Sequence, residues 1–389
     1  MKKENESACS ARLGKVGGGA LIEGVMMRAG NDVAVTCRRE DGRLCLIREQ
    51  HMPLREKCKF FGLPFVRGAV NFVESMILSM KTLNQSAEIF GEEEEESRAE
   101  KWMKAHLGFG LMGIITAVAT VLGVLLSLAL FLYLPRLVSG WIETLAGGLP
   151  EWASGVIEGG VKVVIFVAYI SLVSLMPDIR RTFMYHGAEH KSIACYEAGA
   201  ELTPAEAKKY SRFHPRCGTS FMFVMILLGI AIGIALRYLL PDWVIGNSLL
   251  YTVIRVLLLP LVMAFGFEFI RFAGKHPNAF TRALSAPGMW MQRLTTLEPD
   301  EAMLEVAITS LKAALREDFP DFDTTEYEAN TAAALAANAA RAEGKTPSDE
   351  EKPAAAAEQA VDAATTANET PADAFVGDPA DAVAPEDDL

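Results

Sequence analysis

The sequence predicts a mainly α-helical, polytopic membrane protein with about four transmembrane helices, a small N-terminal β-containing element and a disordered acidic tail. Three observations carry that prediction. Hydrophobic residues make up 51% of the 389, and the mean hydropathy is positive. Four apolar segments each approach the roughly 20 residues needed to cross the hydrocarbon of a bilayer. The net charge of −12 belongs to one end of the chain: from Asp318 onward there are 18 acidic and 3 basic residues, which leaves the first 317 at about +3.

The region 1–104 reads as a cytoplasmic β-hairpin and amphipathic-helix region. After a polar leader, Gly17-Gly18-Gly19-Ala20 runs into the apolar, glycine-framed stretch Leu21 to Arg28. Val33, Val35 and Cys37 then alternate with polar neighbours, Asp41-Gly42 gives a turn signal, and Leu44 and Leu46 resume the alternation, which predicts a β-hairpin. Pro64 suits the first turn of a helix whose apolar residues Val66, Ala69, Val70, Val73, Met76, Ile77, Met80 and Leu83 recur at helical spacing. Core packing is the expected use of that stripe, because Arg67 and Lys81 give the helix no strongly basic face. Glu92 to Glu96 is an acidic, solvated linker.

Residues 105–275 contain the four spans: Leu107 to Leu134, Val161 to Met176, Ser220 to Leu240 and Leu249 to Ile270. Lysines and arginines flank them unequally. They precede the first span, fill the loop 177–219 and follow the fourth span, while the other two connections hold very few. The positive-inside bias therefore places both termini and the His-rich loop in the cytoplasm, with the protein in the inner membrane. Six scattered cysteines with no CxxC pair and no secretory signal fit reduced thiols on that side.

Within the loop, Asp178 to Cys195 continues as a helix after Pro177, and Thr203-Pro204-Ala205-Glu206 matches a capping box opening a second helix that runs to His214-Pro215. In 276–317, Asp300 to Leu315 has one apolar face formed by Met303, Leu304, Ala307, Ile308, Leu311 and Leu315. Residues 318–389 are Ala-, Glu-, Asp-, Pro- and Thr-rich with few large apolar side chains, which predicts a disordered tail.

Candidate chemistry concentrates between His186 and Cys217, where three of the six histidines and two of the six cysteines fall. On a helix, His186 and His190 share a face, where two imidazoles can hold one divalent ion. Glu189 completes an H-x-x-E-H order in which the histidines are ligands and the glutamate is the general base for water activated by the ion. A third ligand is expected from His214, Cys217 or Glu268, and a thiolate in the set makes zinc the expected ion. Each residue also has a plainer use. His186 and His190 would line an interfacial helix face, Cys217 would be a small buried residue at a helix start, and Glu268 would pair with Arg271. His51 and His276 would be capping or surface residues, Arg255 would snorkel outward and Glu23 would sit in a turn.

Four blocks also carry a resemblance to the YqhQ-like family of bacterial membrane proteins, a domain of unknown function labelled a predicted metal-dependent enzyme. They are Ile22-Glu23-Gly24-Val25-Met26-Met27-Arg28, His186-Gly187-Ala188-Glu189-His190-Lys191, His214-Pro215-Arg216-Cys217-Gly218-Thr219-Ser220, and Leu294-Thr295-Thr296 followed by Glu298-Pro299-Asp300. The resemblance covers about residues 14 to 315. Where the family commonly has Gln, this chain has Gly19.

Together these readings lead to a metal-dependent membrane enzyme acting hydrolytically on a membrane-associated substrate. Its expected partners are membrane lipids and that substrate or a protein, and not nucleic acid. The alternative is a non-enzymatic scaffold or assembly factor with a structural metal or docking loop. Transport is disfavoured because the ionisable residues gather at one face and not near the bilayer midplane.

Overall fold

A computed structural model describes residues 12–57, 59–63, 66–90, 111–214, 216–275 and 279–342. Four strands open it, β1 (Val16–Leu21), β2 (Gly24–Ala29), β3 (Asp32–Arg38) and β4 (Leu44–Gln50), in an antiparallel meander of order β1-β2-β3-β4. The expected β3–β4 hairpin is present, with Cys37 opposite Cys45. A second hairpin joins β1 to β2 through the two-residue turn Ile22-Glu23, with Leu21 opposite Gly24 and Glu23 at φ +47°. Both faces of this sheet are covered. Consecutive residues of β2 are therefore buried, which removes the alternation by which a half-exposed strand is recognised.

The longer helices are α1 (Val66–Phe90), α2 (Leu111–Leu128), α3 (Leu134–Leu145), α4 (Glu151–Val173), α5 (Pro177–Glu197), α6 (Gly218–Leu239), α7 (Ser248–Leu257), α8 (Leu259–Lys275), α9 (Ala279–Thr295), α10 (Glu301–Ala314) and α11 (Thr325–Ala342). A π-helical turn, Ala129–Tyr133, links α2 to α3 without ending the rod. Among the described residues, Val118–Leu145, Trp152–Val173 and Met222–Leu239 are long and apolar enough to cross a membrane. The pair Leu249–Leu257 and Leu259–Phe269, bent by 40°, makes a fourth candidate when it is counted as one broken span. The second span begins earlier than its apolar run suggested. Glu158 and Lys162 interrupt the hydropathy of α4 but satisfy each other one helical turn apart.

One side of the sheet packs on α5 and α10: Val25, Met27, Ala34 and Leu46 meet Tyr185, Ala188, Met303, Leu304 and Leu311 in one core. The other side packs on α1 and α11, where Leu21, Val33, Val35 and Cys45 meet Leu78, Ile89 and Ala334. The sheet layer is thus assembled from residues near both ends of the chain, with α10 in its centre and not in a separate C-terminal segment.

Three expectations change here. The apolar stripe of α1 faces outward, with Val73, Met76, Ile77 and Met80 exposed, while Gly68, Leu78, Thr82, Ser86 and Ile89 face inward. Close approach to α8 selects the inward face, since a Cβ on Gly68 would lie 3.0 Å from Ala264 Cα. Disorder does not begin at Asp318. Phe319, Phe322 and Tyr327 pack on the core, and α11 covers β4. Alanine makes α11 a good helix, and its polar residues serve the sheet edge: Thr331 Oγ1 accepts from Leu46 N at 2.8 Å and lies 2.9 Å from Leu46 O, while Asn330 Nδ2 donates to Leu44 O at 3.1 Å. Residues 343–389 of the expected tail lie outside the described residues. Finally, the helix capped by Thr203 is a single turn, Pro204–Ala207, so His214 lies on irregular chain.

Candidate metal centre

Helix α5 is the frame of the site. Pro177 starts it, Gly199 at φ +72° follows it, and eleven of its residues from Tyr185 onward are buried. His186 and His190 lie one turn apart on it, with ring centroids 4.5 Å apart. Cys217 comes from the N-cap of α6, with its Sγ 3.2 Å from His186 Nε2. One ligand atom from each of His186, His190 and Cys217 lies within 4.8 Å of the others.

Each imidazole is oriented by a backbone carbonyl. His186 Nδ1 donates to Thr295 O at 2.9 Å, and His190 Nδ1 donates to Arg212 O at 2.6 Å. A carbonyl only accepts, so the Nδ1 atoms carry the protons and both Nε2 lone pairs are left for a ligand, the tautomer that metal-bound histidines adopt. His190 is 2% exposed, and burial lowers its pKa, which favours the neutral ring. These residues fit a divalent ion with nitrogen and sulfur donors.

The two segments that carry these carbonyls are themselves held by cations at neighbouring residues. Lys191 Nζ, buried on the same helix, donates to Lys208 O at 2.8 Å and Tyr210 O at 2.9 Å and pairs with Glu298 at 2.6 Å. Arg212 donates to Thr296 O. Gly187 lets the 295–299 segment pass against α5, and Leu297 N donates to Phe183 O at 2.9 Å. Sequence motifs flagged these positions. Apart from Glu298, their partners are backbone atoms, which no residue type announces.

Glu189 is 5% exposed, and its Oε2 has no hydrogen-bond partner among the described residues. Its Cγ lies 3.0 Å from where a Cβ on Gly18 would stand, so β1 closes over it at a position that only glycine leaves open. Burial raises its pKa, opposed by the fields of His186 and His214.

The other two expected ligands are engaged elsewhere. His214 lies next to the cluster, its ring centroid 5.6 Å from that of His190, but its Nε2 faces Glu197 at 3.5 Å and Arg216 at 3.3 Å. Gln292 brackets the His214 backbone, accepting from its N at 2.9 Å and donating to its O at 2.8 Å. Burial pushes the Glu197 carboxyl up, but hydrogen bonds from His214 and Gly14 and the charge of Arg216 outweigh it and bring it to about 2. Both carboxylate oxygens of Glu268 accept from Arg67, each at 2.6 Å, so Glu268 is the partner of α1 and not a ligand. That pairing spans 201 residues of sequence, which is why the nearer Arg271 looked the natural partner. The side chain of Arg271 and residue His276 lie outside the described residues. Glu23 occupies its expected turn, where it binds Arg181 bidentately and accepts from Tyr185 Oη at 3.1 Å, fixing the hairpin to α5 just before His186.

Fold and site define a class: a polytopic membrane protein in which a two-faced sheet layer and a helical bundle meet at a His/His/Cys cluster with His190 and Cys217 buried and His186 half-buried. A family model described as "Protein of unknown function (DUF1385)" matches residues 63–317. "Uncharacterized protein YqhQ" of Bacillus subtilis (strain 168) is 33% identical over 308 residues, covering 77% of this chain and 92% of that protein. The chain belongs to the DUF1385, YqhQ-like family. No solved structure matches it.

Proposed function

We propose that this protein is a metal-dependent membrane enzyme of the hydrolytic class, holding one divalent ion, zinc, between His186, His190 and Cys217 at the cytoplasmic face of the inner membrane. The carrying observation is the convergence of three donor atoms within 4.8 Å, with both Nδ1 atoms already committed to carbonyls. Three protein ligands leave the fourth tetrahedral position open, as in catalytic zinc sites. A bound ion of this kind supplies Lewis acidity and makes water acidic enough to react near neutral pH. In this reading Glu189, one turn from His186 and with an unpartnered carboxylate oxygen among the described residues, takes and returns a proton. The substrate is a membrane-associated peptide, lipid or phosphate ester.

The deep burial of His190 and Cys217 favours a second reading, a structural clip that fastens α5 to the start of α6. Metal analysis of purified protein, with X-ray absorption at the zinc edge, separates the two. The catalytic reading expects one ion per chain with three protein donors and an oxygen, while the clip expects four protein donors. His190→Ala should lose the ion and Glu189→Gln should keep it; equal metal content in wild type and His190→Ala overturns the ligand set. For the orientation, alkaline phosphatase fused at Gly147 should be active outside the cell membrane and fused after Ala342 inactive, and the reverse pattern overturns the cytoplasmic placement.

A further inference from the structure

A second cluster of charge lies among the spans, away from the His/His/Cys site. Glu158 and Lys162 of α4 and Arg255 of α7 form a triad in which Lys162 Nζ, at 2.8 Å, and Arg255 Nη1 share one oxygen, Oε1 of Glu158. Side-chain exposures of 4% for Glu158, 12% for Lys162 and 10% for Arg255 show that Arg255 does not snorkel outward. Gly233 makes room for it, because a Cβ there would lie 2.7 Å from Arg255 Nη2. Two cations against one carboxylate leave this triad at +1 in apolar surroundings, where charge is costly without a partner or a function.

Lys162 and Arg255 line a cavity of about 410 Å³ whose remaining wall is apolar, including Phe131, Phe166, Ile226 and Met263. That volume falls within the roughly 300–1,000 Å³ of small-molecule sites. Its position is informative. Lys162 is at the centre of Trp152–Val173, Gly229 and Gly233 are at the centre of Met222–Leu239, and the cavity touches the π turn at Phe131 and the 40° break at Leu258 and Leu259. Two of the candidate spans thus lose regular helix at the level of Lys162 and Arg255. Midplane sites between membrane helices are built from such interrupted helices, and π turns recur at functional sites.

We infer that this cavity binds an anionic amphiphile, with a phosphate or carboxylate head on Lys162 and Arg255 and an apolar chain along the Phe131–Phe166 wall. Charge complementarity fixes the sign of the head. The apolar wall offers nothing to the hydration shell of a free inorganic ion, which fixes the chain.

The test uses the full-length protein in phosphatidylcholine nanodiscs, with radiolabelled dodecyl phosphate as probe and protein-free nanodiscs as blank. Wild type should retain the probe above the blank. Lys162→Gln/Arg255→Gln should weaken retention by about tenfold or more, the loss expected for unpairing a buried charge contact. Gly229→Leu fills the cavity at a position where a Cβ meets nothing within 4 Å, so it should lose the probe while leaving the triad and the fold in place. Dodecanol and inorganic phosphate should compete poorly. Retention by Gly229→Leu equal to wild type, dodecanol competing as well as dodecyl phosphate, or inorganic phosphate competing at equal concentration would each overturn the inference, the last two in favour of a lipid-chain crevice or a small-anion site. Metal content measured in the same preparations should be unchanged in Gly229→Leu, so failure here and failure of the metal reading are distinguishable.

Discussion

The carbonyl oxygen of Leu297 lies where a side chain on Gly187 would have to go: a Cβ built on Gly187 would stand 1.9 Å from it. This contact brings the 295–299 segment against α5 and puts Thr295 O within reach of His186 Nδ1. Helix propensity alone would make Gly187→Ala stabilising by up to about 1 kcal/mol. The clash is with backbone, and forcing it costs about 1–3 kcal/mol, so the net expectation is destabilisation. Metal content of Gly187→Ala should also fall, because His186 loses its tether. A variant that is more stable and fully metallated would refute this account of the glycine.

Lys191 supports the site from behind. Lys191→Met keeps the stem but leaves Lys208 O, Tyr210 O and Glu298 without their cation. Groups that orient metal ligands typically contribute about 10–100-fold in affinity, and Lys191→Met should weaken zinc binding by that order in chelator competition. Unchanged competition would show that Arg212 O is held without Lys191.

The hydroxyl of Thr331 serves both the N–H and the C=O of Leu46 on the edge strand β4. Thr331→Val preserves shape and removes both bonds, which should cost about 2 kcal/mol in the unfolding of the soluble layer. Chain termination after Ala342 should leave the melting temperature unchanged, whereas termination after Phe322 should lower it by exposing Leu46 and Cys45. Equal melting of the two truncations would mean that α11 contributes nothing to the sheet.

Glu197 sets a pH dependence with a definite sign. Its folded value of about 2 lies below its ordinary 4.5, so its stabilising effect is complete above 4.5 and drains away as the pH falls from there towards 2. The stability difference between wild type and Glu197→Gln should therefore be largest near neutral pH and vanish in strong acid. Thermal inactivation of the two proteins across that range measures it, and a difference that grows on acidification would contradict the assignment.

The sequence by itself determined that the middle of the chain holds three to four membrane-length apolar helices, though not all their bounds, together with the helix that carries His186 and His190, the β3–β4 hairpin and the apolar face of α10. Each of these rests on a local signal: a run long enough for hydrocarbon, a 3.6-residue or two-residue period, or a capping residue. The tertiary structure alone decided what depends on distant partners. It placed Cys217 beside the two histidines, gave Glu268 to Arg67 and turned His214 towards Glu197. It put the stripe of α1 outside, folded the start of the acidic tail onto β4, and gathered Glu158, Lys162 and Arg255 around one oxygen. Ion pairs and carbonyl tethers between residues many positions apart have no periodicity to betray them, because they are set by which elements meet and not by the order in which the chain is read.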